Sequence, residues 1–178
     1  MRERFFKAMK IIIDGYNFIR QTDLRRFENV SLENGRKELI RRLAIYKRAK
    51  AHKITVVFDG IMGGSFSEER DRSAGIGIVY SRKGQTADDV IKRMARDSSE
   101  KITVVTSDRD IADAAVRSGC SAISSHAFAQ KLAEAEMLGA FPELGVKEEG
   151  YSAPKEKKGP SRRVTRRKRG EEKNLRKL

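Results

Sequence analysis

The sequence is poor in the residues that build disulfide frameworks and zinc sites. It contains 1 cysteine, Cys120, and 2 histidines, His52 and His126, among 178 residues. A lone cysteine excludes an internal disulfide framework and a cysteine-based zinc cage. The two histidines are far apart in the chain and lack the spacing of metal ligands. We therefore interpret both histidines as structural or surface residues.

Long hydrophobic runs are also lacking. No apolar stretch approaches the roughly 18 residues of a membrane-spanning helix. The N-terminal segment MRERFFKAMK lacks the apolar core of a secretion signal. We therefore predict a cytoplasmic protein with no membrane partner. The chain is still 38% hydrophobic, and a chain of this length can bury the core of one domain.

Acidic residues are in deficit, with 25 Asp and Glu against 39 Lys and Arg and a net charge of +14. Residues 147–178 alone hold 13 Lys and Arg, 5 Asp and Glu, and almost no aliphatic side chains. We predict one domain over residues 9–141 and a basic, flexible tail over residues 142–178. The tail segment RRVTRRKRG resembles a nucleic-acid-binding arm, with a solvated charged extension as the alternative. The basic excess favours a polyanionic partner such as nucleic acid.

Short apolar runs alternate with amphipathic segments along the predicted domain. The runs typical of buried strands cover residues 10–14, 54–60, 75–81, 101–108 and 120–124. The segments with helical spacing cover residues 31–51, 86–99, a stretch ending near 118, and 125–138. Strands separated by such helices form right-handed crossovers in a mainly parallel sheet. We therefore predict an α/β fold with about five strands and helices on both faces. The segment that contains Gly63, Gly64 and the charged stretch SEERDR is predicted to be an exposed loop or a mobile flap.

Aspartates follow three of the predicted strands. Asp14 ends KIIID, Asp59 follows ITVVF, and Asp108 follows KITVVTS. Ligands of open parallel sheets bind at the carboxyl ends of the strands, so we expect these carboxylates to converge if the strands are neighbours. Gathered carboxylates repel one another unless a cation neutralises them, and hard oxygen ligands suit Mg²⁺ or Mn²⁺. Taken singly, each aspartate is also explained by a turn or a helix cap.

Helical geometry selects a fourth acid. In TADDVIKRMA, a helical projection places Asp88 at the edge of the apolar face and Asp89 on the opposite side. The same projection places Asp108 in the middle of the apolar face of the following helix. The predicted set of catalytic carboxylates is Asp14, Asp59, Asp88 and Asp108.

Four motifs in this order resemble the NYN domain, a member of the PIN-like nuclease superfamily, and its YacP-like branch in particular. They are DGYN after the first strand, VFDG after the second, G-x-T-A-D at a helix start, and TSD after the fourth strand. The resemblance covers roughly residues 9–138. It implies a PIN-like three-layer α/β/α fold and a divalent-metal-dependent endoribonuclease. Its expected partner is mRNA or rRNA, in the context of the translating ribosome.

The resemblance also implies roles for individual residues. Asp14, Asp88 and Asp108 would bind Mg²⁺ or Mn²⁺, with Asp59 at or beside the metal, and no organic cofactor is expected. Asn17 matches the motif asparagine, which should brace the site by hydrogen bonds. The residues that we predict to contact RNA near this edge are Asn17, Arg82, Lys83, Lys92 and Ser107.

Lys92 departs from the YacP-like pattern. That pattern often has an acid four residues after the aspartate that Asp88 matches, but here the position holds a lysine. The lysine could weaken metal binding or contact a phosphate. It is the main support for an alternative function, a non-catalytic RNA- or ribosome-binding protein with the same fold. A phosphatase of the aspartyl-phosphate type is disfavoured, because the D-x-D motif that it expects after the first strand is absent.

Overall fold

The computed structural model describes residues 8–60 and 66–140. The predicted tail lies outside the described residues. The strands within these ranges are β1 (Lys10–Asp14), β2 (Lys53–Phe58), β3 (Glu69–Ser73), β4 (Ile76–Tyr80), β5 (Ile102–Val105) and β6 (Ser121–Ile123). The helices are α1 (Gly15–Arg20), α2 (Arg25–Glu28), α3 (Leu32–Ala49), α4 (Ala87–Arg96), α5 (Arg109–Arg117) and α6 (Ser125–Ala140). None of these helices is long and apolar enough to cross a membrane.

The strands form one sheet in the order β3-β4-β2-β1-β5-β6. Strand β1 is central and pairs in parallel with β2 on one side and with β5 on the other. Only the β3–β4 pair of these described strands is antiparallel. The prediction of a mainly parallel sheet is therefore confirmed, with six strands instead of about five. Because the chain runs outward from β1 in both directions, the end of β1 is the switch point at which such sheets bind ligands.

The isoleucine run of β1 belongs to two separate hydrophobic cores. Ile11 and Ile13 pack in the core that contains residues of α1, α3 and α6. Ile12 packs in the second core, with residues of α4 and α5. Successive side chains of a strand point to opposite faces, so a strand that is covered on both faces needs an unbroken apolar run. The predicted three-layer α/β/α architecture is confirmed.

The prediction of a loop or flap is wrong for SEERDR, because most of this stretch lies in the edge strand β3, whereas Gly63 and Gly64 lie outside the described residues. All five residues of β3 are exposed, so the strand carries no hydrophobic pattern that could identify it. The strand is joined to β4 by Ala74 and Gly75, which have φ values of 51° and 79°. Positive φ at both positions is typical of a tight two-residue hairpin turn. The charged side chains of β3 protect the edge of the sheet from pairing with other chains.

Candidate active site

Asp14 lies at the centre of the carboxyl edge of the sheet and is only 7% exposed. Its Oδ1 accepts a hydrogen bond from the Asn17 backbone N–H at 3.3 Å. Its Oδ2 accepts one from the Thr106 hydroxyl at 3.3 Å. The pKa of Asp14 is raised to about 6, chiefly by burial and further by the carboxylates of Asp88 and Asp59, while the two hydrogen bonds oppose the rise. A cation beside Asp14 would offset the cost of burying its charge.

Close packing explains why a glycine follows Asp14 and Asp59. A Cβ on Gly15 would lie 2.3 Å from the ring of Phe58. A Cβ on Gly60 would lie 2.2 Å from the backbone oxygen of Ser81. Neither glycine has a positive φ, so the need for glycine comes from space and not from a left-handed turn. The glycines allow the neighbouring strand ends to approach the two aspartates closely.

Asp59 is exposed and holds the start of α4 against the end of β2. Its Oδ1 accepts a hydrogen bond from the Ala87 backbone N–H at 2.6 Å. The adjacent Gly60 N–H donates to the Ser81 hydroxyl at 3.0 Å. A carboxylate at a helix N-terminus is favoured by the unpaired N–H groups and the helix dipole. Asp59 therefore positions the helix that carries Asp88.

Two adjacent aspartates at the start of α4 have different tasks. Asp89 forms a capping box with Thr86, in which each side chain bonds the other residue's backbone N–H at 3.2 Å. Asp88 is half-buried and is left to face the other acids. Its pKa is raised chiefly by burial, with Asp108 and Asp59 adding to the rise and Lys92 opposing it. This agrees with the helical projection of the sequence, which placed Asp88 at the edge of the apolar face and Asp89 on the opposite side of the helix.

Asp108 is placed differently from the prediction. It is exposed and caps α5, since its Oδ1 accepts from the N–H groups of Asp110 at 2.8 Å and Ile111 at 3.4 Å. The placement in the middle of the apolar face is wrong, because α5 begins at Arg109 and Asp108 has an extended backbone. The helical projection does not apply to a residue outside the helix. Asp108 still raises the pKa of Asp88, so the two carboxylates interact across the sheet edge.

Asn17 connects three parts of the sheet edge. Its Oδ1 accepts hydrogen bonds from the Ser107 backbone N–H at 2.9 Å and from the Ser125 hydroxyl at 3.1 Å. The Ser107 hydroxyl accepts from the Ser125 N–H at 3.3 Å. The Thr106 hydroxyl, already bonded to Asp14, also accepts from the Asp108 N–H at 3.1 Å. Sequence reasoning missed Ser125, for which the only signal was a serine at the start of the last predicted helix.

The predicted RNA-contacting residues occupy two parts of this edge. Arg82 and Lys83 are exposed in the loop after β4, and the Lys83 ammonium lies 5.9 Å from the centre of the Phe66 ring. Lys92 lies one turn after Asp88 on α4 and pairs with Asp110. Ser107 is exposed beside Asn17. Their contact with RNA stays a prediction.

The donor atoms at this edge suit a divalent cation in their chemistry. They are carboxylate oxygens, and burial, with a smaller effect of neighbouring acids, raises the pKa of both Asp14 and Asp88. Mg²⁺ and Mn²⁺ prefer such hard ligands. Across residues 8–60 and 66–140, however, no group of three or more His, Cys, Asp or Glu side chains is close enough to enclose an ion. Lys92 lowers the pKa of Asp88, and the N–H groups at the start of α5 bond Asp108.

Known structures have the same fold. The crystal structure of Rae1 (YacP) from Bacillus subtilis superposes with a TM-score of 0.62 at 22% identity, over 75% of this chain and 78% of that one. A mutant of the same protein superposes with a TM-score of 0.61 at 24% identity, over 76% and 80%. At these identities the likeness concerns the fold alone.

The sequence comparisons identify the family. The protein YacP of Bacillus subtilis is 28% identical over 102 residues, which are 55% of this chain and 59% of the relative. The match thus spans less than two thirds of that relative. A family model described as the YacP-like NYN domain matches residues 11–176, a range that includes Asp14, Asp59, Asp88 and Asp108. The chain therefore belongs to the family of YacP-like NYN domains, which are nuclease-type domains.

Proposed function

We propose that this protein is a cytoplasmic, divalent-metal-dependent endoribonuclease that hydrolyses phosphodiester bonds of mRNA or rRNA in association with ribosomes. The observation that carries the proposal is the buried Asp14 carboxylate at the switch point of the sheet, with Asp59, Asp88 and Asp108 around it. Membership of a nuclease-type family and the basic character of the chain support an RNA substrate.

Each acid has its own task in this proposal. Asp14, Asp88 and Asp108 would hold Mg²⁺ or Mn²⁺ by drawing closer together around the cation than they lie in the structure without it, and Asp59 would keep α4 in place through its bond to Ala87. When bound, the cation would activate water and stabilise the negative charge that develops on the scissile phosphate. Thr106 and Asn17 keep the Asp14 carboxylate in one orientation. Rigid support of this kind is what a reacting group needs.

We expect purified protein to cleave RNA in Mg²⁺ or Mn²⁺ and to be inactive in EDTA, with products that carry a 5′-phosphate and a 3′-hydroxyl. Asp88→Asn should lower the cleavage rate by about a hundredfold or more, because a metal ligand contributes several kcal/mol to the transition state. The measurement is single-turnover cleavage of free RNA and of mRNA on translating ribosomes. Cleavage that persists in EDTA, or that Asp88→Asn leaves unchanged, would rule out the proposed mechanism.

The second candidate function is RNA or ribosome binding without catalysis. Lys92 supports it, because its ammonium lies beside Asp88 and lowers the pKa of that carboxyl, as a bound cation would. Tight RNA binding with no cleavage on either substrate would establish this function instead.

We expect Lys92→Gln to tighten Mn²⁺ binding by about threefold to tenfold, because removing a neighbouring positive charge lowers the repulsion that an incoming cation meets. The measurement is a calorimetric titration at low salt, with Lys131→Gln as the control. Lys131 is likewise paired with an acid on a helix surface, at 3.0 Å from Glu134, but lies on α6. Unchanged Mn²⁺ affinity in Lys92→Gln would show that the lysine does not compete with the metal.

A further inference from the structure

We propose that Arg36 and Tyr16 form a binding site for an RNA backbone phosphate next to the one that is cleaved. The inference rests on the proposed function, since it takes RNA to be the ligand. The site lies on the α1–α3 side of the carboxyl edge, opposite Lys92 on α4. RNA that crosses the edge would then be held on one side of the acids by Arg36 and Tyr16.

The first observation is a buried hydroxyl without a partner. Tyr16 is 8% exposed, and its phenol oxygen is buried with no hydrogen-bond partner in the part of the chain that the structure describes. Buried polar groups are nearly always paired, so an orphaned hydroxyl requires an explanation. The O–H of a phenol is a hydrogen-bond donor, so this hydroxyl is able to donate to a ligand.

The second observation is an arginine that forms no salt bridge among the described residues, although its charge helps to lower the pKa of the exposed Glu33 one turn earlier on α3. The Arg36 guanidinium lies 5.7 Å from the centre of the Tyr80 ring and is half-buried. None of the salt bridges formed by the described residues includes Arg36. A guanidinium that is held over an aromatic ring keeps its N–H edge free to bind a phosphate in a fixed direction.

The surrounding aromatic rings favour a phosphate over a nucleobase as the ligand. The Tyr80 ring stacks on Phe58 at 5.8 Å and also contacts Arg36. The Tyr16 ring packs against Phe58 at 5.0 Å and lies 5.4 Å from the Arg20 guanidinium. Because these rings pack against one another and against arginines, they are poorly placed to stack on a base. What the cluster presents is a cation and a hydroxyl donor, which match an anionic oxygen.

The position of the cluster connects it to the acids. Tyr16 follows Asp14 by two residues, and its ring packs against Phe58, the residue before Asp59. Arg36 lies over the ring of Tyr80, which is paired with Phe58 in the sheet and stacks on it. The arginine is thus close to the proposed reaction centre, on the side away from Asp88. Among the described residues Asp59 forms no salt bridge and accepts a hydrogen bond from Ala87, so it leaves the guanidinium available for an outside anion.

The test is equilibrium binding of a short fluorescent single-stranded RNA in EDTA, where no metal-dependent cleavage occurs. We expect Arg36→Ala to raise the Kd about tenfold, and Tyr16→Phe to raise it about threefold to tenfold, because hydrogen bonds to charged groups are strong. Arg36→Lys should recover only part of the affinity, because it restores the charge without the planar fork. Arg48→Ala is the control: it removes the same charge from an exposed position at the other end of α3.

Two further readouts separate a phosphate contact from a structural role. Arg36→Ala should reduce the slope of log Kd against log salt by about 0.7, as expected for one lost contact to single-stranded nucleic acid, whereas Tyr16→Phe should not change the slope. The melting temperature of Tyr16→Phe should be unchanged or higher, because its hydroxyl has no hydrogen-bond partner to lose among the residues that the structure describes.

Binding by Arg36→Ala and Tyr16→Phe that equals binding by Arg48→Ala would overturn the phosphate site, and cleavage by the wild-type protein would still support the nuclease. Binding that depends on Arg36, in a protein that cleaves no RNA with any metal, would support the phosphate site and reject the nuclease. Absence of RNA binding by the wild-type protein would overturn both.

Discussion

Replacing Asp14 by asparagine is expected to lower the rate of RNA cleavage by about a thousandfold or more and at the same time to stabilise the protein. The cleavage rate should fall because Asp14 is the central carboxylate of the proposed metal site, and the charge of a metal ligand contributes several kcal/mol to transition-state stabilisation. The free energy of unfolding should rise because the native protein buries this carboxylate beside other acids, and asparagine removes the buried charge.

The stabilisation depends on pH in a defined direction. The pKa of Asp14 is about 6 in the folded protein, against 3.8 for an ordinary aspartate. Between these two values the folded state binds more protons than the unfolded state, so this group lowers the free energy of unfolding as the pH rises. The full loss, on the order of 3 kcal/mol, is reached above about pH 6. Asparagine carries no charge at any pH, so its advantage over aspartate should grow from about pH 4 and level off above about pH 6.

Thermal unfolding in EDTA at several pH values measures this effect, with single-turnover cleavage measured in parallel. Asp97→Asn is a suitable control, because it makes the same substitution in an exposed side chain at the far end of α4. Mn²⁺ should raise the melting temperature of the wild-type protein but not of Asp14→Asn, since a ligand stabilises only the state that binds it. An Asp14→Asn protein that is less stable than the wild type at neutral pH, or that cleaves normally, would contradict this account of the site.

Gly15→Ala is expected to lower the free energy of unfolding by about 3 kcal/mol, the upper part of the usual range for overpacking. The new Cβ would lie 2.3 Å from the Phe58 ring. That ring is fully buried and packs between Tyr16 and Tyr80, so it has no free direction in which to move. The backbone of β1 or α1 must shift instead. Cleavage should fall as well, because Asp14 precedes the glycine directly.

Urea unfolding compares this variant with a matched control, Gly139→Ala. Gly139 is exposed in α6, and a Cβ there would make an ordinary contact at 3.4 Å with the Ile45 side chain. Alanine is favoured over glycine in helices by up to about 1 kcal/mol, so this control should be neutral or slightly stabilised. If Gly15→Ala were as stable as Gly139→Ala, close packing would not be the reason for glycine after Asp14.

Much of the architecture was determined by local patterns in the sequence. The isoleucine run at 11–13 and the largely apolar run at 102–105 predicted strands that are covered on both faces, because a run without regular alternation of apolar and polar residues has no side for water. The helical period separated Asp88 from Asp89, because residues one position apart point about 100° apart around a helix. Two of the apolar runs, at 11–13 and 54–58, are followed directly by an aspartate. Because β1 and β2 are parallel neighbours, Asp14 and Asp59 lie at the same edge of the sheet.

Only the tertiary structure decided which task each polar group has. Asp59 bonds the Ala87 N–H across 28 residues of sequence, and Thr106 bonds Asp14 across 92 residues. No local period encodes such contacts, because they depend on how the ends of separate elements meet. The same holds for strand β3, whose exposed side chains carry no pattern and whose pairing is made by the backbone with β4. Hydrophobic periodicity therefore determined the layers and the edge of the sheet that carries the acids, whereas long-range packing and hydrogen bonds determined the arrangement at that edge.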